Sequence, residues 1–270
     1  MSVNLSQANL GWTLAQLTAK RLMRRRSTWF FLILGMLPSS IFLFWIIAKA
    51  TGNFATTTKP YGIFLGIQSL YLLSFYVPLL AIFLGLGVVS DEIETKNITF
   101  TLVRPLNRLS IVWGRFLGHL MVAIATVLIS IFVIYMSNML FQVEDIVRKL
   151  PNLINGMFVL SIGIVAYLSV VALLGTLLKR FAIIICIFWI LIDAFFSMLP
   201  VDSLQAISIK HRMLSSYGEA LPQFNMSFTE ITPGSLIANA VVCLLFAAIS
   251  CFLMWWRFNA KEIVLSDSAN

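Results

Sequence analysis

Ser90–Phe116 reads SDEIETKNITFTLVRPLNRLSIVWGRF, and its charge decides how the rest of the chain must fold. It carries three acids within four residues (Asp91, Glu92, Glu94) and four bases (Lys96, Arg104, Arg108, Arg115). On both sides the chain is apolar for more than twenty residues. Each of these charges would cost several kcal/mol in hydrocarbon. The stretch is therefore a soluble patch at one face of a membrane, and the flanking runs are membrane spans.

Composition supports that reading. Of 270 residues, 60% are hydrophobic and only 11% charged, against about 25% charged in a soluble domain. Six apolar runs are long enough to span: 29–48, 62–89, 116–137, 153–178, 181–199 and 236–256. About 20 residues cross a bilayer as a helix, and helices leave no backbone group unpaired in lipid. Residues 153–199 are too long for one crossing, so Lys179–Arg180 marks a hairpin tip. The expected fold is an all-α integral membrane protein with six spans in one domain over 29–256. An interfacial helix within 1–28 precedes it and a short tail, 257–270, follows.

Orientation follows from the cations in the connecting segments. The N-terminal arm, 90–115, 179–180 and the tail hold thirteen Lys and Arg; the other side holds six. The thirteen-side is expected to be cytoplasmic, with both termini inside. Its net charge is +8, equal to that of the whole chain. A positive-inside bias thus accounts for the basic balance without nucleic acid. Cys186, Cys243 and Cys251 all fall within apolar runs, which argues against a disulfide framework. The first apolar run lacks the short core and small-residue site of a cleavable signal peptide.

Along the chain, Leu10, Leu14 and Leu17 share a helical side before the cluster Lys20, Arg21, Arg24, Arg25, Arg26. That pattern predicts an amphipathic helix along the inner leaflet. Pro38, followed by two serines, predicts a kink in span one. Gly62/Gly66 and Gly114/Gly118 have the spacing that permits close helix packing. Asp193 is the one acid inside a span, about 9 Å at helical rise from its outer end. An acid there is a candidate for lining a pathway. Residues 200–235 are external and apolar; Leu204, Ile207, Leu214 and Leu221 fall near one helical face after Asp202, a candidate N-cap. Trp255, Trp256 and Arg257 anchor the inner interface.

Motifs for chemistry are absent. No G-x-x-x-x-G-K-[ST] loop occurs, so ATP hydrolysis is not expected on this chain. His119 and His211 fall on opposite sides of the membrane, no H-E-x-x-H or C-x-x-C exists, and no metal site is expected. No G-x-S-x-G elbow is present. The chain reads as a non-enzyme.

Glu92–Arg108, EIETKNITFTLVRPLNR, resembles the inner loop of type-2 ATP-binding-cassette (ABC) export permeases, where E-x-E-S-G-T-I-x-x-L-L-S-x-P-I-S-R joins spans two and three. Glu92 and Glu94 match the acids, Thr95 the small hydroxyl, Ile98 and Leu102 the apolar positions. Arg104–Arg108 matches the proline-centred turn. Lys96, Asn97 and Thr101 depart from the pattern. The layout of the chain resembles the family too.

The resemblance implies a permease subunit of the bacterial plasma (inner) membrane, pairing with a second copy as a homodimer. Two separate ATPase subunits would bind the ATP and Mg; this chain would bind no cofactor. Asp91, Glu92, Glu94, Thr95, Arg104, Pro105 and Arg108 would form a coupling helix docked on the ATPase, with acids at its positive dipole end and Pro105 turning it. Lys179 and Arg180 would make a second contact, Asp193 would face the pathway, and Leu204, Ile207, Leu214 and Tyr217 would belong to re-entrant helices capping the exit. Two rivals follow from the same residues: a membrane scaffold of an ABC-type complex that moves no solute, and an intramembrane enzyme, which lacks a catalytic cluster.

Overall fold

The computed structural model describes residues 7–50, 60–94, 108–139, 146–178, 181–217 and 234–260, and no strand occurs among them. Helices α1 (Gln7–Met23), α2 (Arg26–Met36) and α3 (Ser39–Ala50) come first. Helix α4 (Pro60–Gly66) runs without a break through a π-helical stretch, Ile67–Tyr76, into α5 (Val77–Glu94). Then follow α6 (Arg108–Met139), α7 (Ile146–Leu178), α8 (Ala182–Phe196), two short helices α9 (Asp202–Ile207) and α10 (Ile209–Ser215), and α11 (Leu236–Ala260).

Among the described residues, four stretches are long and apolar enough to cross a membrane: Tyr61–Val88, Val112–Met139, Ile146–Leu178 and Leu236–Arg257. Helix α8 is equally apolar but only 15 residues long. The run read as span one is two helices, because Pro38 has no N–H and its ring opposes helical continuation. Its missing donor strands the Leu34 carbonyl. That oxygen accepts instead from the Leu37 N–H at 3.2 Å and from the Tyr71 hydroxyl at 2.5 Å. Phe31, one turn earlier, gives its carbonyl to the Tyr76 hydroxyl at 3.1 Å, and its ring stacks on Phe83 at 4.3 Å. The kinked element is thereby held against the π-helical stretch and α5.

Helix α7 is the hub, packing against α5, α6, α8, α10 and α11. Two-thirds of its apolar window (67%) is buried, against 33% for α11, which places α11 at the periphery. Between lipid-embedded helices there is little hydrophobic driving force, so close approach of small residues does the holding. Gly85 fits this: a Cβ there would lie 2.9 Å from Val171 Cγ1 and 3.2 Å from the Leu168 carbonyl.

The same logic places α1, and it differs from the leucine-stripe expectation. The buried face of α1 is Ala15, Ala19 and Leu22, while Leu17 stands exposed. A Cβ at Gly114 would press on the Gly11 carbonyl at 2.6 Å, and one at Gly118 on the Ala15 carbonyl at 2.7 Å. The pairs advance together, so α1 and α6 run parallel where they meet. Small residues at i, i+4 and i+8 give backbone contact that leucines cannot, so Leu17 is left to face outward. The matching pair at Gly62 is not used in this way, since a Cβ there would meet nothing within 4 Å.

Of the charged stretch, Asp91, Glu92 and Glu94 fall within α5 (Val77–Glu94), and residues 95–107 lie outside the described residues.

Candidate functional site

A cluster of polar residues gathers where the middle of α7, the end of α8 and the start of α11 meet. Asp193, on the penultimate turn region of α8, is buried. One carboxylate oxygen accepts the backbone N–H of Ile209 at 2.9 Å. The other accepts the Lys210 N–H at 3.2 Å and the Tyr167 hydroxyl of α7 at 2.6 Å. The acid therefore caps α10 from a different helix. It also ties three elements together: α7, α8 and the segment after it.

Ser208 completes the cap. Its hydroxyl donates to the Asp193 backbone carbonyl at 3.1 Å and accepts the His211 N–H at 3.2 Å. Asp202, a candidate cap on sequence, is instead the first helical residue of α9, with Val201 in the cap position and no side-chain cap bond. A second tie joins α10 to α11. The Arg212 guanidinium donates to Asn239 Oδ1 at 3.2 Å, and Asn239 Nδ2 donates to the hydroxyls of Ser215 at 2.8 Å and Ser216 at 3.1 Å.

Helix α10 is seated inside the bundle rather than laid across its end. Ile209, Met213 and Tyr217, spaced four apart, are all buried. The sulfur of Met213 would lie 3.5 Å from a Cβ at Gly163, midway along the 33-residue α7, where Leu73 of the π-helical stretch also approaches. Burial lowers the Lys210 ammonium from its ordinary range, and the Asp193 carboxylate pulls it part of the way back. Burial also lowers His211, with a backbone bond at Ser197 opposing it and Arg212 adding to it. The Tyr217 hydroxyl is raised by burial, with the Gln68 amide opposing.

The π-helical stretch is the part of the site that sequence reasoning missed. Its wider turns carry Gln68, Ser69, Leu72, Leu73 and Tyr76 inward. The Val77 N–H reaches back five residues to the Leu72 carbonyl, and the Ser74 hydroxyl likewise reaches the Ser69 carbonyl at 2.9 Å. Such wide turns concentrate at functional sites. The available signal was Gln68, a lone amide in an apolar run.

The sequence-predicted residues are distributed as follows. Asp193 stands at the centre of the cluster. Tyr217 is buried. Leu204 and Leu214 are partly buried, whereas Ile207 is 56% exposed; the break at Ser208 turns α9 and α10 onto different faces, so the single stripe does not form. Asp91, Glu92 and Glu94 lie on the last turn of α5, and Arg108 is the first residue of α6. Thr95, Arg104, Pro105, Lys179, Arg180 and Leu221 lie outside the described residues. Among the described residues no group of three or more His, Cys, Asp or Glu is placed to hold a metal ion. Cys186, Cys243 and Cys251 are free and buried.

A helical bundle with four membrane-length apolar helices among the described residues defines an all-helical multi-pass membrane protein. The chain belongs to the family described as Protein of unknown function (DUF2705), which matches residues 27–264. No curated protein matches it.

Proposed function

We propose that the chain is the permease subunit of an ATP-driven ABC exporter in a bacterial plasma membrane, with both termini cytoplasmic. The observation that carries this reading is the stretch Glu92–Arg108, whose acids and Arg104-Pro105-Leu106-Asn107-Arg108 turn resemble the coupling loop of type-2 export permeases. The fold supports it in three ways. First, the stretch joins the ends of α5 and α6, two long helices packed on each other, so a push there is delivered to both. Second, α1 is fitted on α6 through Gly114 and Gly118, which makes the base of α6 a stiff, two-helix lever. Third, Met213 of α10 packs beside the middle of α7 at Gly163, as a re-entrant helix closing an exit would.

In this reading α2 and α3 form one kinked span, and α8 with the turn that follows it forms another, which brings the total to six. α1 lies at the inner interface, fitted to α6. Two ATPase subunits, holding the ATP and Mg, dock on the coupling stretch through Glu92, Glu94, Thr95 and Arg104. A second copy of this chain completes the path. The exposed apolar face of α8 (Ile184, Ile187, Phe188, Leu191, Phe195) meets lipid or that second copy. Asp193 positions the closing segment rather than meeting cargo, because its oxygens are already occupied by three donors.

The test is affinity purification of the detergent-solubilised protein, wild type against Glu94→Ala with Arg104→Ala, with the co-purifying chains identified. Recovery of an ATPase subunit with the wild type, and its loss in the double variant, is the expected outcome. An ATPase-free preparation of the dimeric wild type overturns the reading.

A further inference from the structure

Lys20, Arg21, Arg24, Arg25 and Arg26 fall within seven residues, and no acid precedes Asp91 in the sequence. Lys20, Arg21, Arg24 and Arg26 stand exposed at the elbow where α1 gives way to α2. That elbow is built rather than loose. The Leu22 carbonyl accepts the Arg25 N–H at 3.0 Å and the Thr28 hydroxyl at 2.7 Å. The Met23 carbonyl accepts the Trp29 indole N–H at 3.0 Å. The cations are therefore presented from a fixed turn, which setting the topology alone would not require.

Packing sets the depth of this turn. On α1 the contact with α6 is at Gly118, whereas on α2 a Cβ at Gly35 would overlap Ser130 of α6. The elbow thus lies beside α6 between those two levels. Counting back the 20 or so residues that cross hydrocarbon from Met139, the far end of α6, puts the near boundary at about residue 119. Long cationic side chains at the elbow reach headgroups from there. The acids of α5 lie elsewhere. Tyr76 meets Ser130 and Gly87 meets His119, so α5 runs antiparallel to α6. Asp91, Glu92 and Glu94 follow Gly87 toward the base of α6, away from the elbow.

Above the cations, Arg26, Phe30, Ile33 and Leu37 recur at i, i+4, i+7 and i+11, on one side of the helical turns. All four are exposed, and Trp29 is exposed beside them. From Arg26 to Leu37 the rise is about 16 Å, about half the hydrocarbon thickness. Positive charge at headgroup depth, an aromatic ring at the interface and an apolar strip running to the midplane match one kind of molecule. A phospholipid of net negative charge carries its phosphate and its acyl chain in that order, and arginine is well suited to phosphate.

We infer that the elbow between α1 and α2 is a docking site for anionic phospholipid of the leaflet it faces. Arg24 and Arg26 take the phosphate, and Phe30, Ile33 and Leu37 line an acyl chain. Lipid binding here does not depend on an ATPase partner.

The full chain in phosphatidylcholine vesicles provides the test. Trace phosphatidylglycerol or phosphatidylcholine, spin-labelled on the same acyl carbon, reports which lipid is held at the protein. The wild type is expected to hold phosphatidylglycerol several-fold more strongly. Arg24→Gln with Arg26→Gln should remove most of that preference. Arg108→Gln with Arg257→Gln, which takes the same charge from the start of α6 and the last turn of α11, should leave most of it. No preference in the wild type overturns the proposal, and so does an equal loss in the two double variants, which would mean diffuse charge rather than a site. A second measurement locates the lipid. Phosphatidylglycerol with brominated acyl chains should quench the fluorescence that Trp29→Phe removes more than brominated phosphatidylcholine does at equal content. Equal quenching by the two lipids overturns the proposal, even where Arg24→Gln with Arg26→Gln does not elute as the wild type does.

Discussion

The Tyr71 hydroxyl donates, at 2.5 Å, to the one carbonyl that Pro38 deprives of its helical donor, that of Leu34. A kink made by proline is expensive in a membrane unless something replaces the lost bond, and here a tyrosine from the next hairpin arm does so. Tyr71→Phe is therefore expected to lower stability by about 1 kcal/mol, read as a fall in thermal midpoint in detergent. In a Pro38→Ala background the donor returns, and the same substitution should cost markedly less. An identical cost in both backgrounds would separate Tyr71 from the kink.

Gly114 and Gly118 make the opposite prediction to Gly62. Gly114→Leu drives a side chain into the Gly11 backbone and should unseat α1, at a cost of about 2–3 kcal/mol. Gly62→Leu points into open space and should fall within about 0.5 kcal/mol of wild type. Amide exchange over Ala15–Leu22 reads the seating directly. Protection that survives Gly114→Leu would mean that α1 is held by something else.

These two cases show what the sequence could and could not reveal. Length and hydropathy identify Tyr61–Val88, Val112–Met139, Ile146–Leu178 and Leu236–Arg257 as membrane-length helices, because an apolar run is a local property. Pro38 marks its kink for the same reason. The face on which a helix packs is not local: Gly62 and Gly114 begin identical G-x-x-x-G spacings, and only the second meets a neighbour. Leu17 of α1 misled because lipid, unlike water, does not drive it inward. Nothing in IQSLYLLSFY spells out an extra residue per turn. Asp193 stood out as an acid among apolar neighbours, but its donors Tyr167 and Ile209 are 26 and 16 residues away and have no sequence signature.

Acidification should loosen the segment after α8. His211 has its pKa lowered from its ordinary value of 6.5, chiefly by burial, so the folded state binds its proton less readily than the unfolded state does. Stability tied to His211 is then fully present above pH 6.5 and declines as the pH falls below it, until the folded group also protonates. Amide exchange over 208–217 should accelerate between pH 7 and pH 5, after correction for intrinsic rates. In His211→Gln that acceleration should shrink. Exchange in the variant that keeps the wild-type pH dependence would assign the effect to other groups.

Asp193 should act as a latch. Asp193→Ala leaves the N–H groups of Ile209 and Lys210 without an acceptor and the Tyr167 hydroxyl without its partner. A loss of about 2 kcal/mol in the opening free energy of α10 follows, or about 30-fold faster amide exchange over 209–217. Tyr167→Phe removes only one donor and keeps the cap, so its effect should be a few-fold. The difference between the two variants carries the argument: the carboxylate holds α10 through backbone donors, and the tyrosine only steadies the carboxylate. Equal acceleration in both would mean that Tyr167, not Asp193, holds the segment. No acceleration in either would mean that the Arg212–Asn239 contact to α11 suffices alone.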